Sequence, residues 1–392
     1  MALKTVSELK DSVAGILSGL DLNNVANLNG ALERGTRTLV QKADVPEASG
    51  IQNITLYSGV YNYACDERIF GTAINDIRPQ GISRTLWDST VKTNQEDFDR
   101  TKKYYTGGTQ ATFQYENGQP IIRIKAPFPK QAVLVDRMNE VGNWVASGNL
   151  TGLTQDNNTF YEAPSSLRFT LTGASTGAIT ETLTNSLDLS SYEGVGVAFL
   201  AIRLPNTDLT SITLRLGSDS TNYSYVTATQ GFLGQWISDD WALIAFDFST
   251  GTDFNSPDWA NIDYVQVMFD TTGTLTNANV GGLFISQPAP AQILYQSAAI
   301  YLPDGSQTAL NTITANTDQI ILNDAAYTLL EYEGALAILQ QTGGGDGDSM
   351  TIRIQNELKG LYEMYRGDNP SQELRLLGSY YPNDRFGGRN GR

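Results

Sequence analysis

The side chains that could do chemistry in this sequence are carboxylates and aromatic rings. The 392 residues include no histidine and one cysteine, Cys65. The chain therefore lacks Ser-His-Asp and Cys-His arrangements, histidine-ligated zinc and the usual proton shuttle near neutral pH. A single cysteine forms no internal disulfide, and without an imidazole partner we interpret Cys65 as a small, mostly buried residue. We predict no catalytic residue and no enzymatic activity.

Paired carboxylates are the remaining candidates for acid–base chemistry. Asp239 with Asp240, or Asp247 with Asp258, could cleave a glycoside if their carboxyls lay about 5–10 Å apart around a sugar. Acidic residues at turns are usually solvated, so we interpret these four in that way. Carboxylate oxygens are also typical calcium ligands, so these residues could instead bind a structural calcium ion in the β-sandwich that is predicted below. No other cofactor and no defined set of metal ligands is predicted.

Aromatic residues in the middle of the chain suit a different task, sugar binding. A sugar ring has an apolar face that a flat tryptophan or tyrosine can support, while amide, carboxylate and guanidinium groups bond its hydroxyls. Aromatic residues in alternating strands are otherwise usually core residues. The candidate glycan-binding residues are Asn222, Tyr223, Tyr225, Trp236, Trp241 and Trp259.

The net charge excludes one class of partner. Lys plus Arg number 26 and Asp plus Glu 42, which gives a charge of −16 at pH 7. Nucleic-acid binding depends largely on a basic surface, so no nucleic-acid specificity is expected. No run of about 18 apolar residues is present, so no membrane insertion is expected. The N-terminus shows no continuous apolar stretch of a secretory signal.

Charge and composition mark the middle of the chain as a separate module. Between Glu140 and Pro290 there are three basic and 15 acidic residues and no lysine, and four of the five tryptophans lie there. Apolar residues alternate with polar ones, most clearly in 211–216, where Ile212, Leu214 and Leu216 would point inward. About eight such runs separated by turn residues predict an all-β sandwich without a helix.

The two flanks of this module show helical spacing instead. Thr5 and Glu8 fit a capping box, and a second helix is expected to begin after Asn23 or Asn24 and to end before Pro46. Near the other end, helices are expected to begin at Asn323 and at Asp348 or Ser349. Asn117-Gly118 between two alternating runs predicts a hairpin.

The economical arrangement is one body built from both flanks. We predict an α+β body with an inserted all-β jelly-roll sandwich. The α+β assembly domain comprises residues 1–138 and 291–392, and the sandwich comprises residues 139–290. Domain insertion is tolerated where the two exit points lie close together, as the ends of two strands would.

Four stretches of the middle segment carry a resemblance to known proteins. They are Leu187-Asp-Leu-Ser-Ser-Tyr192, the run 211–223, Trp241-Ala-Leu-Ile-Ala-Phe-Asp247 and Ile262-Asp-Tyr-Val265. They resemble the jelly-roll, galactose-binding-like sandwiches of carbohydrate-binding modules and of tailed-phage virion proteins. The flanks, with the run 32–46 and Gly378-Ser-Tyr-Tyr-Pro382, resemble phage structural proteins near the head-to-tail junction.

This resemblance implies a function in assembly. The chain would be a neck or head-to-tail connector protein of a virion, synthesised in the host cytoplasm, with the sandwich displayed outward and available to host surface glycans. Its partners would be copies of itself and other virion proteins. Candidate assembly residues are Arg385, Arg389 and Arg392, which form a basic tail. The alternatives are a carbohydrate-binding protein, a capsid or tail decoration protein and a carboxylate-dependent glycan hydrolase.

Overall fold

The structure is a computed structural model. It describes residues 3–18, 21–43, 45, 48–65, 69, 73–81, 91–92, 109–116, 119–126, 129–161, 164–306, 308–343 and 349–368. The described chain is mostly β-sheet with a few helices.

The chain divides into two compact units. The helical unit comprises Met1–Gln52, Cys65–Ile77 and Gln292–Arg392, and the sandwich unit comprises Asn53–Ala64 and Arg78–Ala291. Both ends of the chain therefore belong to one unit. The described residues of 53–64 and 78–138 belong to the sandwich unit, whereas the predicted sandwich begins at residue 139.

Four α-helices are described, all in the helical unit. They are α1 (Val6–Ile16), α2 (Leu28–Lys42), α3 (Asp324–Gln341) and α4 (Ser349–Asp368). The capping box of α1 is present: the Glu8 backbone N–H donates to Thr5 Oγ1 at 3.3 Å, and the Thr5 N–H donates to Glu8 Oε2 at 2.7 Å. Asn323 caps α3, as its position in the sequence predicts.

The start of α2 differs from its predicted position. Leu22–Asn24 form a 3-10 turn that Asp21 caps, and the helix begins only after Asn27. Asn27 adopts a left-handed conformation with φ of 54° and accepts the Gly30 N–H at 3.2 Å. Asparagine tolerates this conformation better than most residues, so it can cap the helix there.

The strands are numbered β1–β22 along the chain. They are β1 Lys4–Thr5, β2 Ser49–Leu56, β3 Asn62–Ala64, β4 Ala73–Pro79, β5 Val91–Lys92, β6 Gln110–Glu116, β7 Gln119–Lys125, β8 Val133–Asp136, β9 Trp144–Gly148, β10 Leu150–Asp156, β11 Ser166–Leu171, β12 Ser175–Leu187, β13 Val197–Arg203, β14 Leu209–Asp219, β15 Asn222–Ala228, β16 Trp241–Asp247, β17 Thr252–Phe254, β18 Ile262–Thr271, β19 Leu275–Ser286, β20 Ala289–Gln296, β21 Tyr301–Leu302 and β22 Gln319–Ile320.

Two six-stranded sheets form the β-sandwich. The front sheet has the strand order β17-β15-β14-β18-β12-β9, and the back sheet has the order β10-β11-β19-β13-β16 with β8 paired to β19. The pairs within both sheets are antiparallel. Side chains on the inner faces of both sheets form one apolar core. Ile212, Leu214 and Leu216 are fully buried there, as the alternation predicts.

Three smaller sheets complete the described strands. Their orders are β1-β22-β21, β2-β20-β4 and β3-β7-β6-β5. Strands β6 and β7 pair antiparallel as the predicted hairpin requires, although Asn117 and Gly118 lie outside the described residues. In the described part of the chain, no helix has the length and hydropathy needed to span a membrane.

The core of the helical unit joins segments from both ends of the chain. Thr36 Oγ1 on α2 lies 2.6 Å from the Tyr301 hydroxyl, and both side chains are buried. Lys42 Nζ donates to Glu333 Oε1 at 2.8 Å, and the Tyr362 hydroxyl donates to the same oxygen at 2.8 Å. Helices α2 and α3 cross at Gly35 and Gly334, where neither residue has a side chain to separate the backbones.

Candidate functional site

The outer face of the front sheet carries a group of aromatic and polar side chains. Strand alternation places the core residues of β14, β15 and β18 on one face and every second residue on the other. The outer residues at the centre of the sheet are Arg215, Tyr223, Tyr225, Phe254 and Tyr264, which we call the aromatic face. None of these five belongs to the sandwich core.

The register arranges these residues in two rows across the strands. In one row Phe254 pairs with Tyr223, and Tyr223 and Tyr264 both pair with Gly217, one from each side. The next row pairs Tyr225 with Arg215. It then continues to Gln266 and Thr180 on the two following strands. The face thus has an aromatic row beside a mixed polar row.

The rings of the aromatic row contact one another. The Tyr223 and Phe254 rings stack with centroids 5.1 Å apart and an interplanar angle of 18°. The Tyr223 centroid lies 6.2 Å from that of Tyr225 and 6.3 Å from that of Tyr264. Phe254 is nevertheless 48% exposed, which is unusual for a phenylalanine and presents an apolar ring to solvent.

A hydrogen-bonded chain fixes the polar row. The Arg215 guanidinium lies 4.7 Å from the Tyr223 ring centroid, within cation–π distance. Arg215 Nη1 donates to Gln266 Oε1 at 2.9 Å, and Gln266 Nε2 donates to Thr180 Oγ1 at 2.9 Å. The guanidinium is therefore oriented before any ligand arrives, with further N–H donors left over from this bond.

Gly217 makes the aromatic row possible. A Cβ at this position would lie 2.2 Å from the Asn222 carbonyl oxygen and 2.6 Å from the Tyr223 Cβ. Such contacts cannot be relieved by rotating a side chain, because a backbone oxygen is involved. With glycine between them, Tyr223 and Tyr264 can approach each other across the middle strand β14.

The six predicted glycan-binding residues do not form one cluster. Asn222, Tyr223 and Tyr225 lie together on β15. Trp241 begins β16 in the back sheet, and Trp236 is half-buried against the sandwich core. Trp259 is buried and contacts Phe248 edge-on at 5.2 Å. The three tryptophans therefore lie apart from the two tyrosines. The prediction grouped these residues by type, and the sequence alone does not show which strands pair.

Asn222 is engaged by a neighbouring carboxylate. Its Nδ2 donates to Asp219 Oδ2 at 2.8 Å, and the Thr221 hydroxyl donates to Asp219 Oδ1 at 2.6 Å. These hydrogen bonds from Thr221 and Asn222 lower the pKa of Asp219 to about 2. Asn222 therefore holds the β14–β15 turn at the end of the aromatic face.

Four residues of the site were absent from the predicted set. Arg215 and Tyr264 lie in stretches that carry the resemblance but are not assigned to a site there, and no prediction concerns Phe254 or Gln266. Tyr264 and Gln266 lie between core residues of β18, so the alternation in the sequence indicates that their side chains point outward. Their position beside β14 depends on pairing between residues about 50 apart, which alternation alone does not reveal.

The remaining predicted residues have other environments. Cys65 forms no disulfide and is half-buried, so it is less buried than predicted. The predicted assembly residues Arg385, Arg389 and Arg392 lie outside the described residues.

Three of the four carboxylates considered for glycoside cleavage accept hydrogen bonds from nearby residues of the chain. Asp247 accepts the Ser249 N–H at 2.9 Å, and Asp258 accepts the Asn261 side-chain amide at 2.7 Å. Asp240 accepts the Trp241 N–H at 2.7 Å. Asp239 is largely exposed and lies 3.9 Å from the Arg203 guanidinium. Asp240, Asp247 and Asp258 thus have local hydrogen-bond partners, and Asp239 faces solvent.

The carboxyl of Glu181 lies on the inner face of β12, opposite the core residue Val265. Glu181 is 4% exposed, and its Oε2 has no hydrogen-bond partner. Burial, together with the charges of Asp136 and Glu140, raises the pKa of Glu181 to about 7. Burial also raises the pKa of Asp136. Among the described residues, no group of three or more Asp, Glu, Cys or His side chains is placed to hold a metal ion. The structural calcium ion stays a prediction.

Glu181→Gln is expected to stabilise the sandwich above about pH 7 and to change little below pH 4.5. Between the ordinary pKa of 4.5 and the folded value of about 7, only the unfolded chain loses this proton. The free energy of unfolding therefore falls as pH rises, by at most about 1.4 kcal/mol per pH unit, and the glutamine removes this loss.

Urea denaturation of both proteins across this pH range measures the difference. Glu193→Gln is the control, because Glu193 lies in the same unit, is exposed and does not contribute to the raised pKa of Glu181. If Glu181→Gln has the same effect on stability at every pH, burial does not hold a proton on Glu181.

Comparison with known proteins gives structural neighbours only. No family model matches the sequence, and no curated protein matches it. The neighbours among solved structures are carbohydrate-binding modules. One is the family 30 module of a cellulosomal cellulase of Clostridium thermocellum, with 14% identity and a TM-score of 0.31. The match covers 40% of this chain and 97% of that chain.

A second neighbour is a family 11 carbohydrate-binding module, also from Clostridium thermocellum, solved with a β-1,3-1,4-mixed-linked tetrasaccharide. The identity is 12% and the TM-score 0.28, with 41% of this chain and 94% of that chain covered.

Proposed function

We propose that this chain is a glycan-binding protein that uses the aromatic face of its β-sandwich. The observation that carries the proposal is the row of Phe254, Tyr223 and Tyr264 beside Arg215 and Gln266 on the outside of a sheet. Apolar rings next to fixed hydrogen-bonding groups match the two kinds of surface that a sugar ring presents.

The exposed rings would support the apolar faces of sugar rings. Phe254 and Tyr225 offer the more accessible surfaces, while Tyr223 and Tyr264 are largely covered by their neighbours. Each stacked ring contributes about 0.5–1.5 kcal/mol beyond burial of apolar area. Arg215 and Gln266 would bond hydroxyl groups at the edges of the sugar rings.

The dimensions favour an oligosaccharide over a single sugar. The aromatic row runs from β17 across β15 and β14 to β18, which is three strand spacings or about 14 Å. Because the rings and the Arg215–Gln266–Thr180 chain are already in place, little entropy is lost when a glycan is bound.

The charge of the module favours a neutral glycan. The segment from Glu140 to Pro290 has 15 acidic and three basic residues, so an acidic polysaccharide would be repelled. We propose binding without catalysis, which agrees with the local hydrogen-bond partners of Asp240, Asp247 and Asp258.

We further propose that the sandwich is an insertion in an α+β body. Helices from both ends of the chain share one core in the helical unit, which supports this arrangement. A place for this body in a virion, near the neck or elsewhere, stays a prediction from the resemblance described above.

The direct test is affinity electrophoresis of the full chain through gels that contain a neutral polysaccharide. We expect at least one polysaccharide among mixed-linked β-glucan, xylan, galactomannan and galactan to slow the protein, because the aromatic face would bind its chain. Serum albumin is a reference for non-specific retardation. If no polysaccharide retards the chain more than albumin, the proposal is wrong.

A further inference from the structure

A second concave site lies on the opposite side of the sandwich unit, away from the aromatic face. Its cavity of about 120 Å³ is lined by side chains of the back sheet, of the loop before β16 and of strands β3, β6 and β7. We call it the Trp241 pocket and define it by Trp241, Tyr161, Phe232, Glu116, Asn62 and Arg123.

Aromatic rings form one wall of the pocket. The Trp241 and Tyr161 ring centroids are 5.8 Å apart at an interplanar angle of 53°, so the two rings form a corner rather than a stack. Phe232 contacts Tyr63 edge-on at 5.9 Å, and its N–H donates to the Leu243 carbonyl at 2.8 Å. This wall is therefore held in place by side-chain and backbone contacts.

Polar groups form the other wall. Asn62 Nδ2 donates to Glu116 Oε2 at 2.7 Å, and Gln114 Nε2 contacts the same oxygen at 3.4 Å. Asn62 is the cross-strand partner of Arg123, so the amide, the carboxylate and the guanidinium converge from three adjacent strands. Asn62, Gln114 and Glu116 already bond one another, so a ligand with hydroxyl groups would add hydrogen bonds to a wall that is in place before the ligand binds.

Size and charge narrow the ligand class. A cavity of about 150 Å³ accommodates benzene, so the Trp241 pocket, with about 120 Å³, admits only part of one sugar ring. The lining holds one carboxylate and one guanidinium, so it favours neither a cation nor an anion. A neutral ring that carries several hydroxyls suits both the aromatic wall and the polar wall.

We propose that the Trp241 pocket binds a single neutral sugar residue, such as the end of a glycan chain. This inference rests on the proposed function, because it takes the ligand to be a glycan. It concerns a separate site. The aromatic face would bind along a chain, while the pocket would hold part of one terminal ring. A protein with both sites would bind chain ends and chain interiors at two different surfaces.

The test is a titration of the full chain with methyl glycosides of glucose, galactose, mannose and xylose, followed by tryptophan fluorescence and calorimetry. We expect one of them to bind, and Glu116→Gln and Trp241→Phe to weaken that binding about tenfold each. Glu116→Gln keeps the size of the side chain and so protects the fold. Tyr115→Ala is the matched control, because Tyr115 precedes Glu116 and is 67% exposed.

Two results would overturn the inference. One is that no methyl glycoside binds, or that only choline or glucuronate, added as a cationic and an anionic probe, does so. The other is that Glu116→Gln and Trp241→Phe bind the glycoside as tightly as Tyr115→Ala does. Polysaccharide retardation of the same protein tests the aromatic face separately, so retardation without glycoside binding rejects the pocket alone.

Discussion

Replacing Tyr225 and Phe254 together by alanine is expected to weaken polysaccharide binding about 30-fold while the protein stays folded. The two rings are the accessible part of the aromatic face, and Phe254 is 48% exposed. Removing them takes away two stacking surfaces for sugar rings. It also removes the Phe254 ring that covers Tyr223 at 5.1 Å, so the remaining tyrosine is less well held.

The control for this double variant is Tyr115→Ala. Tyr115 is also an exposed aromatic residue, but it lies on β6, outside the aromatic face. Affinity electrophoresis and calorimetry would compare the three proteins, and thermal unfolding would check that each is folded. Equal binding by the double variant and by the control would exclude the aromatic face as the binding surface.

The second large effect is expected at the crossing of helices α2 and α3. A Cβ on Gly35 would lie 2.8 Å from the Gly334 N atom and 2.9 Å from its Cα, which are backbone atoms that cannot rotate away. Gly35→Ala would therefore force the helices apart. Overpacking of this kind costs about 1–3 kcal/mol. Because neither close contact can be relieved by a rotamer change, we expect the upper part of this range.

Helix propensity acts in the opposite direction, so a matched glycine is needed as a control. Alanine is favoured over glycine within a helix by about 1 kcal/mol. Gly360 lies in α4 with no atom within 4 Å of a Cβ built on it, so Gly360→Ala should raise stability by about that amount. Gly35→Ala should lower it by about 2 kcal/mol net.

Urea unfolding, monitored by far-ultraviolet circular dichroism, measures the loss of helix. Because all four described α-helices belong to the helical unit, this signal reports the stability of that unit. If both glycine variants are stabilised equally, the helix crossing is not as close as described. The two ends of the chain would then not share the tight core at Gly35 and Gly334.

Local signals in the sequence predicted the elements that local interactions define. The Thr5–Glu8 capping box and the Asn323 cap identify the starts of α1 and α3 because each involves residues three apart. Strict alternation identifies β14 because every second residue from Ile212 to Leu216 is buried. These features require no knowledge of distant parts of the chain.

Short and polar strands could not be predicted in the same way. Strands β9 and β17 lie at the two edges of the front sheet, and all three residues of β17 are exposed. Their sequences have no apolar alternation, so their strand conformation depends on pairing with β12 and β15. Tertiary context decides such segments.

The site itself depended on strand register. Tyr223 and Tyr225 were predicted, but Phe254 and Tyr264 reach them only through pairing across β17, β15, β14 and β18. Trp259 was grouped with them by residue type, whereas it packs into the core beside Phe248. Residue type thus predicts the chemistry that a module can offer, and register decides which side chains act together.

The measurement that tests the central claim most directly is an amide chemical-shift titration of the full chain with an oligosaccharide of the retarding polysaccharide. We expect shifts at the outer positions of β14, β15, β17 and β18, around Arg215, Tyr223 and Phe254, at ligand concentrations that saturate binding. Shifts confined to other surfaces, with these strands unchanged, would contradict this claim.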